Sequence, residues 1–136
     1  FNVSINTAGM HPGSYSAQIT VAANDAGNNA LQGSGQTISV ALTVPGYTVS
    51  GSVLACSDPT CATSAPLAGA TLTVLSLNNP IATATADPSG NYTLPALAPG
   101  AYTINVSGTD SSGNHYTGTA TLTVTGDQSN VTIDAY

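Results

Sequence analysis

The sequence contains no lysine, no arginine and no tryptophan, and 4% of its 136 residues are charged, against roughly 25% in ordinary soluble domains. All six charges are aspartates. Side-chain ion pairs are therefore excluded except through a protonated histidine. No cation is available for a phosphate backbone or an anionic lipid surface, so nucleic acid and polybasic membrane contacts are excluded as partners. Membrane insertion is not expected either, because no twenty-residue apolar run is present. There is no signal peptide, and the chain opens at Phe1 without methionine, which reads as a trimmed or excised piece. Low hydrophobicity with high net charge, the signature of disorder, is also missing: apolar residues make up 41% of the chain and the net charge is −6. Solubility falls to Ser, Thr, Asn and Gly, which do not titrate. That pattern points to an extracellular or cell-surface location.

Helical periodicity is absent as well, and strand alternation takes its place. It runs through Val3 and Ile5; Tyr15, Ala17, Ile19 and Val21; Ile38, Val40, Leu42 and Val44; and Val49, Gly51 and Val53. It resumes at Leu72 and Val74, at Ala82, Ala84 and Ala86, at Ile104 and Val106, and at Val131 and Ile133. The longest run, Thr117 to Thr125, places its threonines on one face and Gly118, Ala120, Leu122 and Val124 on the other. Threonine is a good strand residue for a solvent face, and a lone ladder of this kind is no ligand array. Turn clusters rich in Gly, Asn and Asp separate the runs. Ten short strands with such turns describe an all-β sandwich architecture.

Pro45-Gly46 divides the chain. Residues 47–136 hold about seven strands, enough for a small sandwich, whereas residues 1–46 hold three, too few to bury a core. The expected organisation is two tandem immunoglobulin/transthyretin-like modules, the first incomplete. An internal echo supports this. Pro12-Gly13-Ser14-Tyr15 and Pro99-Gly100-Ala101-Tyr102 each open a strand that ends in an Asp-containing turn, with a period near 87 residues. Tyr15, Tyr92 and Tyr102 are expected to face inward, leaving Tyr47, Tyr116 and Tyr136 as the remaining aromatic platforms.

Cys56 and Cys61 flank an Asp58-Pro59 turn, and a local disulfide between them fits an oxidising compartment. A zinc site needs two further ligands from His11 and His115, and a catalytic site needs a nucleophile beside a positioned base; neither pattern is present. Asp25, Asp87 and Asp110 each sit in a turn, but one carboxylate per turn is too few for calcium, and Asp, Asn and Gly serve β-turns in their own right. Glycosylation tripeptides at Asn2, Asn91, Asn105 and Asn130 are expected by chance in a chain this rich in Asn, Ser and Thr.

Residues 47–136 resemble the carboxypeptidase regulatory-like domain, a transthyretin-like β-sandwich of secreted proteins. The resemblance rests on Val49-Ser50-Gly51-Ser52-Val53, on Pro66-Leu67-Ala68-Gly69-Ala70-Thr71-Leu72-Thr73-Val74, on Thr85-Ala86-Asp87-Pro88-Ser89-Gly90-Asn91-Tyr92, and on Leu97-Ala98-Pro99-Gly100-Ala101-Tyr102-Thr103. Residues 1–46 resemble, more weakly, the closing half of bacterial immunoglobulin-like modules. What these resemblances imply is a scaffold without catalytic activity or cofactor. The expected function is a building block of an extracellular surface assembly, a filament subunit or a tandem-module adhesin or stalk. Its partners would be copies of itself or neighbouring modules of a longer chain. Phe1, Val3 and Ile5 are the candidate assembly strand, acting through β-strand complementation. The alternative is a carbohydrate-binding or accessory module of a secreted enzyme, with glycans as partners.

Overall fold

The computed structural model describes residues 4–7 and 10–136. Among them there is no helix, and ten strands follow in order: β1 (Gly13–Val21), β2 (Gln36–Val44), β3 (Val49–Cys56), β4 (Ser64–Pro66), β5 (Thr71–Ser76), β6 (Asn79–Thr85), β7 (Asn91–Thr93), β8 (Gly100–Thr109), β9 (His115–Val124) and β10 (Gln128–Ala135). β1 and β2 form an antiparallel two-stranded sheet of their own. A second sheet is built around β3, which pairs in parallel with β10 along one edge. Its other edge is shared, β7 against Ser50 to Ser52 and β4 against Leu54 to Cys56. The third sheet has the antiparallel order β6-β5-β8-β9.

The two larger sheets make a β-sandwich, and alternation decides which side chains meet between them. β3 supplies Val49 and Val53, β5 supplies Leu72 and Val74, β8 supplies Ile104 and Val106, and β10 supplies Ile133. On β9, Thr117, Thr119, Thr121 and Thr123 are exposed while Ala120 and Leu122 are half-buried and Val124 is buried. Gly118 shares that inner face because β10 crosses it closely, and a Cβ there would strike the carbonyl of Asp134. Gly51 is the same case on β3, where a Cβ would strike the backbone of Val131. A side chain at Gly51 would push apart the paired backbones of β3 and β10, and one at Gly118 would push β9 away from β10.

Several elements differ from the sequence-based expectation. β4 and β7 are three residues long, too short for alternation to mark them. β6 starts at Asn79 because Leu77 and Asn78 close a tight hairpin with φ of 49° and 65°. Leucine is an unusual residue in that left-handed region, so no turn signal announced it. Among the described residues of the first 46, two strands are present. Phe1 and Val3 lie outside the described residues, and Ile5 is exposed and belongs to no strand. Tyr92 and Tyr102 face inward at 3% and 8% exposure, but Tyr15, expected to do the same, is 37% exposed. Its strand carries the right pattern, yet among the described residues no second sheet lies over it.

Candidate functional site

The most unusual surface is one face of the β1–β2 hairpin. Register pairs Tyr15 with Leu42, Ala17 with Val40 and Ile19 with Ile38, so the apolar residues of both strands share one side. Ser14, Ser16, Gln18 and Thr20 take the other side. Val44, at the base, is buried. Further out the face opens: Val21 is 40% exposed and Ile38 46%. Ile5 and Met10 reach over it, enclosing an apolar hollow of about 260 Å³ with Tyr15, Ile19, Val40 and Leu42. Among the described residues, no carboxylate, histidine or cysteine lines this hollow. Large exposed apolar faces are uncommon on monomeric soluble domains.

A second cleft of about 310 Å³ lies between the base of the hairpin and the sandwich, beside His11, Pro12, Leu77, Ile81, Ala96 and Pro99. Tyr47 anchors this junction by exchanging two backbone hydrogen bonds with Leu97, at 2.8 and 3.0 Å. Among the described residues, His11 is the one imidazole there, and no carboxylate or cysteine shares the cleft. His115 is exposed at the start of β9, on another element. The two histidines therefore sit in separate surroundings, neither with a catalytic partner shown.

The aspartate turns repeat one geometry three times. Asp25, Asp87 and Asp110 each accept two backbone N–H groups on Oδ1, from the second and fourth residues onward, at 2.8 and 2.9 Å. The side-chain amides of Asn29, Asn91 and Asn114 complete the three turns. The third residue after the aspartate has a positive φ in each turn, filled by Asn28, Gly90 and Gly113. These bonds hold the carboxyls below their ordinary range. The backbone N–H of Asn29 has the largest effect on Asp25, that of Asn91 on Asp87, and the side chain of Asn114 on Asp110. Hydrogen bonds to the charged form favour it. Asp58 is lowered in the same way, chiefly by the Thr60 side chain. Each of these oxygens is thus engaged in shaping its own loop.

Cys56 and Cys61 are joined in a disulfide with a Cα–Cα distance of 4.7 Å. The turn between them is closed by the Cys61 N–H on the Asp58 carbonyl at 2.9 Å. Asp134 approaches the two sulfurs, and these three form a potential metal-ligand group among the described residues. With the sulfurs bonded to each other, a carboxylate is the only hard ligand left there.

The threonine face of β9 is wider than one strand. Register aligns Thr85, Thr71, Ser107 and Thr117 in one row and Thr83, Thr73, Asn105 and Thr119 in the next. Thr103 and Thr121 continue it. The expected lone ladder is therefore one column of a four-strand hydroxyl surface with no ionisable side chain in these rows. Sequence reasoning missed it because rows across a sheet depend on strand order. Of the expected aromatic platforms, Tyr47 and Tyr116 are half-buried against the core, and the Tyr116 hydroxyl donates to Asp110 Oδ2 at 3.2 Å. Tyr136 is 58% exposed.

The family model of the carboxypeptidase regulatory-like domain matches residues 48–135. No curated protein matches the chain. Among solved structures, a DUF3823 family protein from Parabacteroides merdae ATCC 43184 is similar at 16% identity and a TM-score of 0.48, covering 68% of this chain and 46% of that one. A structure on host cell surface retention of a 1.5-MDa bacterial ice-binding adhesin is similar at 19% identity and a TM-score of 0.36, covering 85% and 42%. A Ca2+-stabilized adhesin from an Antarctic bacterium, described as helping it reach out and bind ice, gives 16% identity and a TM-score of 0.36, covering 83% and 31%. The chain spans less than half the length of each of these three structures.

Proposed function

The chain belongs to the carboxypeptidase regulatory-like domain family, and from that premise we propose that it is a non-catalytic building block of an extracellular surface assembly. It comprises a sandwich module at residues 47–136 and an incomplete module at residues 1–46, and it assembles through β-strand complementation. The observation that carries this is the apolar face of β1–β2, which among the described residues has no second sheet over it and no further strand on the outer edge of either strand. Such an edge and face recruit another strand, because pairing satisfies backbone groups while burying side chains. Composition supports the location: a chain without lysine or arginine, with a disulfide, suits an oxidising exterior. Near-absent charge also removes most of the repulsion between neighbouring copies or modules.

A carbohydrate-binding accessory module has less support, since two of its three aromatic platforms are packed against the core. Phe1, Val3 and Ile5 remain the proposed assembly strand. Electron microscopy of the native source material tests the assignment. Filaments or surface arrays labelled by an antibody to this chain are the expected result; dispersed particles that co-purify with a hydrolase would defeat it.

A further inference from the structure

The β1–β2 hairpin is a structural duplicate of β8–β9. Gly13, Tyr15, Ala17 and Ile19 stand 87 residues before Gly100, Tyr102, Ile104 and Val106. Their cross-strand partners correspond as well: Gly13 faces Val44 as Gly100 faces Val124, and Tyr15 faces Leu42 as Tyr102 faces Leu122. Both tyrosines make the same backward bond. The Tyr15 hydroxyl donates to the His11 carbonyl at 2.7 Å, and the Tyr102 hydroxyl donates to the Ala98 carbonyl at 2.8 Å, four residues back in each case. A tyrosine bonded to backbone a few residues upstream is a corner device of closed sandwiches. Each hairpin then ends in the same aspartate turn.

The copies differ in what covers them. Around β8–β9, β5 pairs antiparallel along Thr103 to Ser107, and the inner face is buried with Ile104 at 0% and Val106 at 3% exposure. Around β1–β2 no flanking strand and no covering sheet are present among the described residues. The same 87-residue spacing sets Ile5 in the place of Tyr92 and Met10 in that of Leu97, both core residues in the complete module. Ile5 and Met10 do line the hairpin's hollow. Carried further, the spacing puts the counterparts of β3 to β6 upstream of Phe1.

We propose that residues 4–44 are the closing part of a second sandwich of the same kind as residues 48–135. Its missing strands are supplied by polypeptide preceding Phe1 in a longer parent chain. One of them pairs antiparallel with the edge of β1 at Ser16 to Thr20, the positions equivalent to Thr103 to Ser107. This deepens the reading of the chain as a surface building block and rests on it. The incoming strand alternates aliphatic residues with threonine or serine, as Thr71-Leu72-Thr73-Val74 does. Among the described residues no carboxylate or histidine lines the hollow to be matched, so an uncharged strand is what fits it. A second copy of this chain is the poorer occupant, because its own β3 and β5 are already paired within their sandwich.

The test combines N-terminal sequencing and intact mass of the native protein with hydrogen–deuterium exchange on the 136-residue chain and on the parent chain. Expected is a parent extending upstream by roughly forty residues or more, the length one such half-module needs. Amides of Ser16 to Thr20 should exchange at least about tenfold more slowly in the parent than in the 136-residue chain. Ile19→Asp in the parent should restore fast exchange there while amides of Ile104 to Val106 stay slow. A native polypeptide beginning at Phe1 overturns the proposal, as does a parent in which Ser16 to Thr20 exchange as fast as in the short chain. Protection that appears in the short chain with rising concentration, together with a dimer mass, also overturns it by making a second copy the occupant. The outcome is separable from the assembly test, because protected β1 amides without filaments or arrays would sink only the surface function.

Discussion

At the scale of single residues, Tyr15 and Tyr102 make one chemical group answer to two environments. Each hydroxyl donates to a carbonyl four residues upstream. The Tyr102 bond is buried, so its loss leaves the Ala98 carbonyl without a partner away from water, a cost of about 1–2 kcal/mol. Water can replace the exposed Tyr15 bond. Tyr102→Phe should therefore lower the stability measured by urea unfolding by about 1–2 kcal/mol, and Tyr15→Phe of the same chain by less than about 0.5 kcal/mol. Equal losses in the two variants would mean that the first hairpin is covered after all. The tyrosines themselves were legible in the sequence as a repeated Pro-Gly-x-Tyr signal. The burial expected for Tyr102 is found, whereas Tyr15, expected inward on the same signal, is exposed, because burial depends on a second layer that the local pattern does not describe.

At the scale of elements, the disulfide loop after β3 is a self-contained unit. Its closing turn and its covalent bond lie within six consecutive residues, Cys56 to Cys61. In the chain-entropy account, so short a loop restricts the unfolded chain by about 2 kcal/mol. Replacing both cysteines by serine should lower the unfolding free energy by about that amount and leave the strand content of the circular dichroism spectrum unchanged. Intact mass after alkylation, with and without reductant, checks the bond itself; two alkylated thiols without reductant would refute it. Long strands with strict alternation, such as β1, β2 and β9, were readable directly. β4 and β7 were not, since three residues hold no period, and their pairing comes from the shared edge of β3.

At the scale of the whole molecule, the absence of cations sets the response to pH. Asp25, Asp58, Asp87 and Asp110 are held below the ordinary value of 3.8 by hydrogen bonds within their turns. In the unfolded chain these groups take up protons at higher pH than in the folded one. Stability from them is fully present above the unfolded pKa and is lost as pH falls through the folded values. The thermal midpoint should thus stay nearly flat from pH 7 to about 4.5 and decline below about pH 4. At the alkaline end, burial pushes the Tyr92 phenol up to about 12. The unfolded tyrosine ionises first, so stability should fall as pH rises from about 10 towards 12. Calorimetry across both windows tests this, and a steep loss between pH 7 and 5 would contradict it.

Much of this protein was set by composition and alternation alone. A chain of short alternating runs punctuated by Gly, Asn and Asp has little choice but strands, since side chains two residues apart share a face. The same residues carried the family resemblance over 47–136, because its turns need glycine, proline and aspartate at set offsets. Tertiary structure decided what alternation leaves open: which strands are neighbours, and whether an apolar face finds a partner. Strand order turned one threonine ladder into a four-strand hydroxyl surface. It also buried the face of β8–β9 and left the matching face of β1–β2 in solvent. Two hairpins of one pattern met different fates because burial is a property of what lies across from a strand, and sequence-local periodicity records only the strand itself.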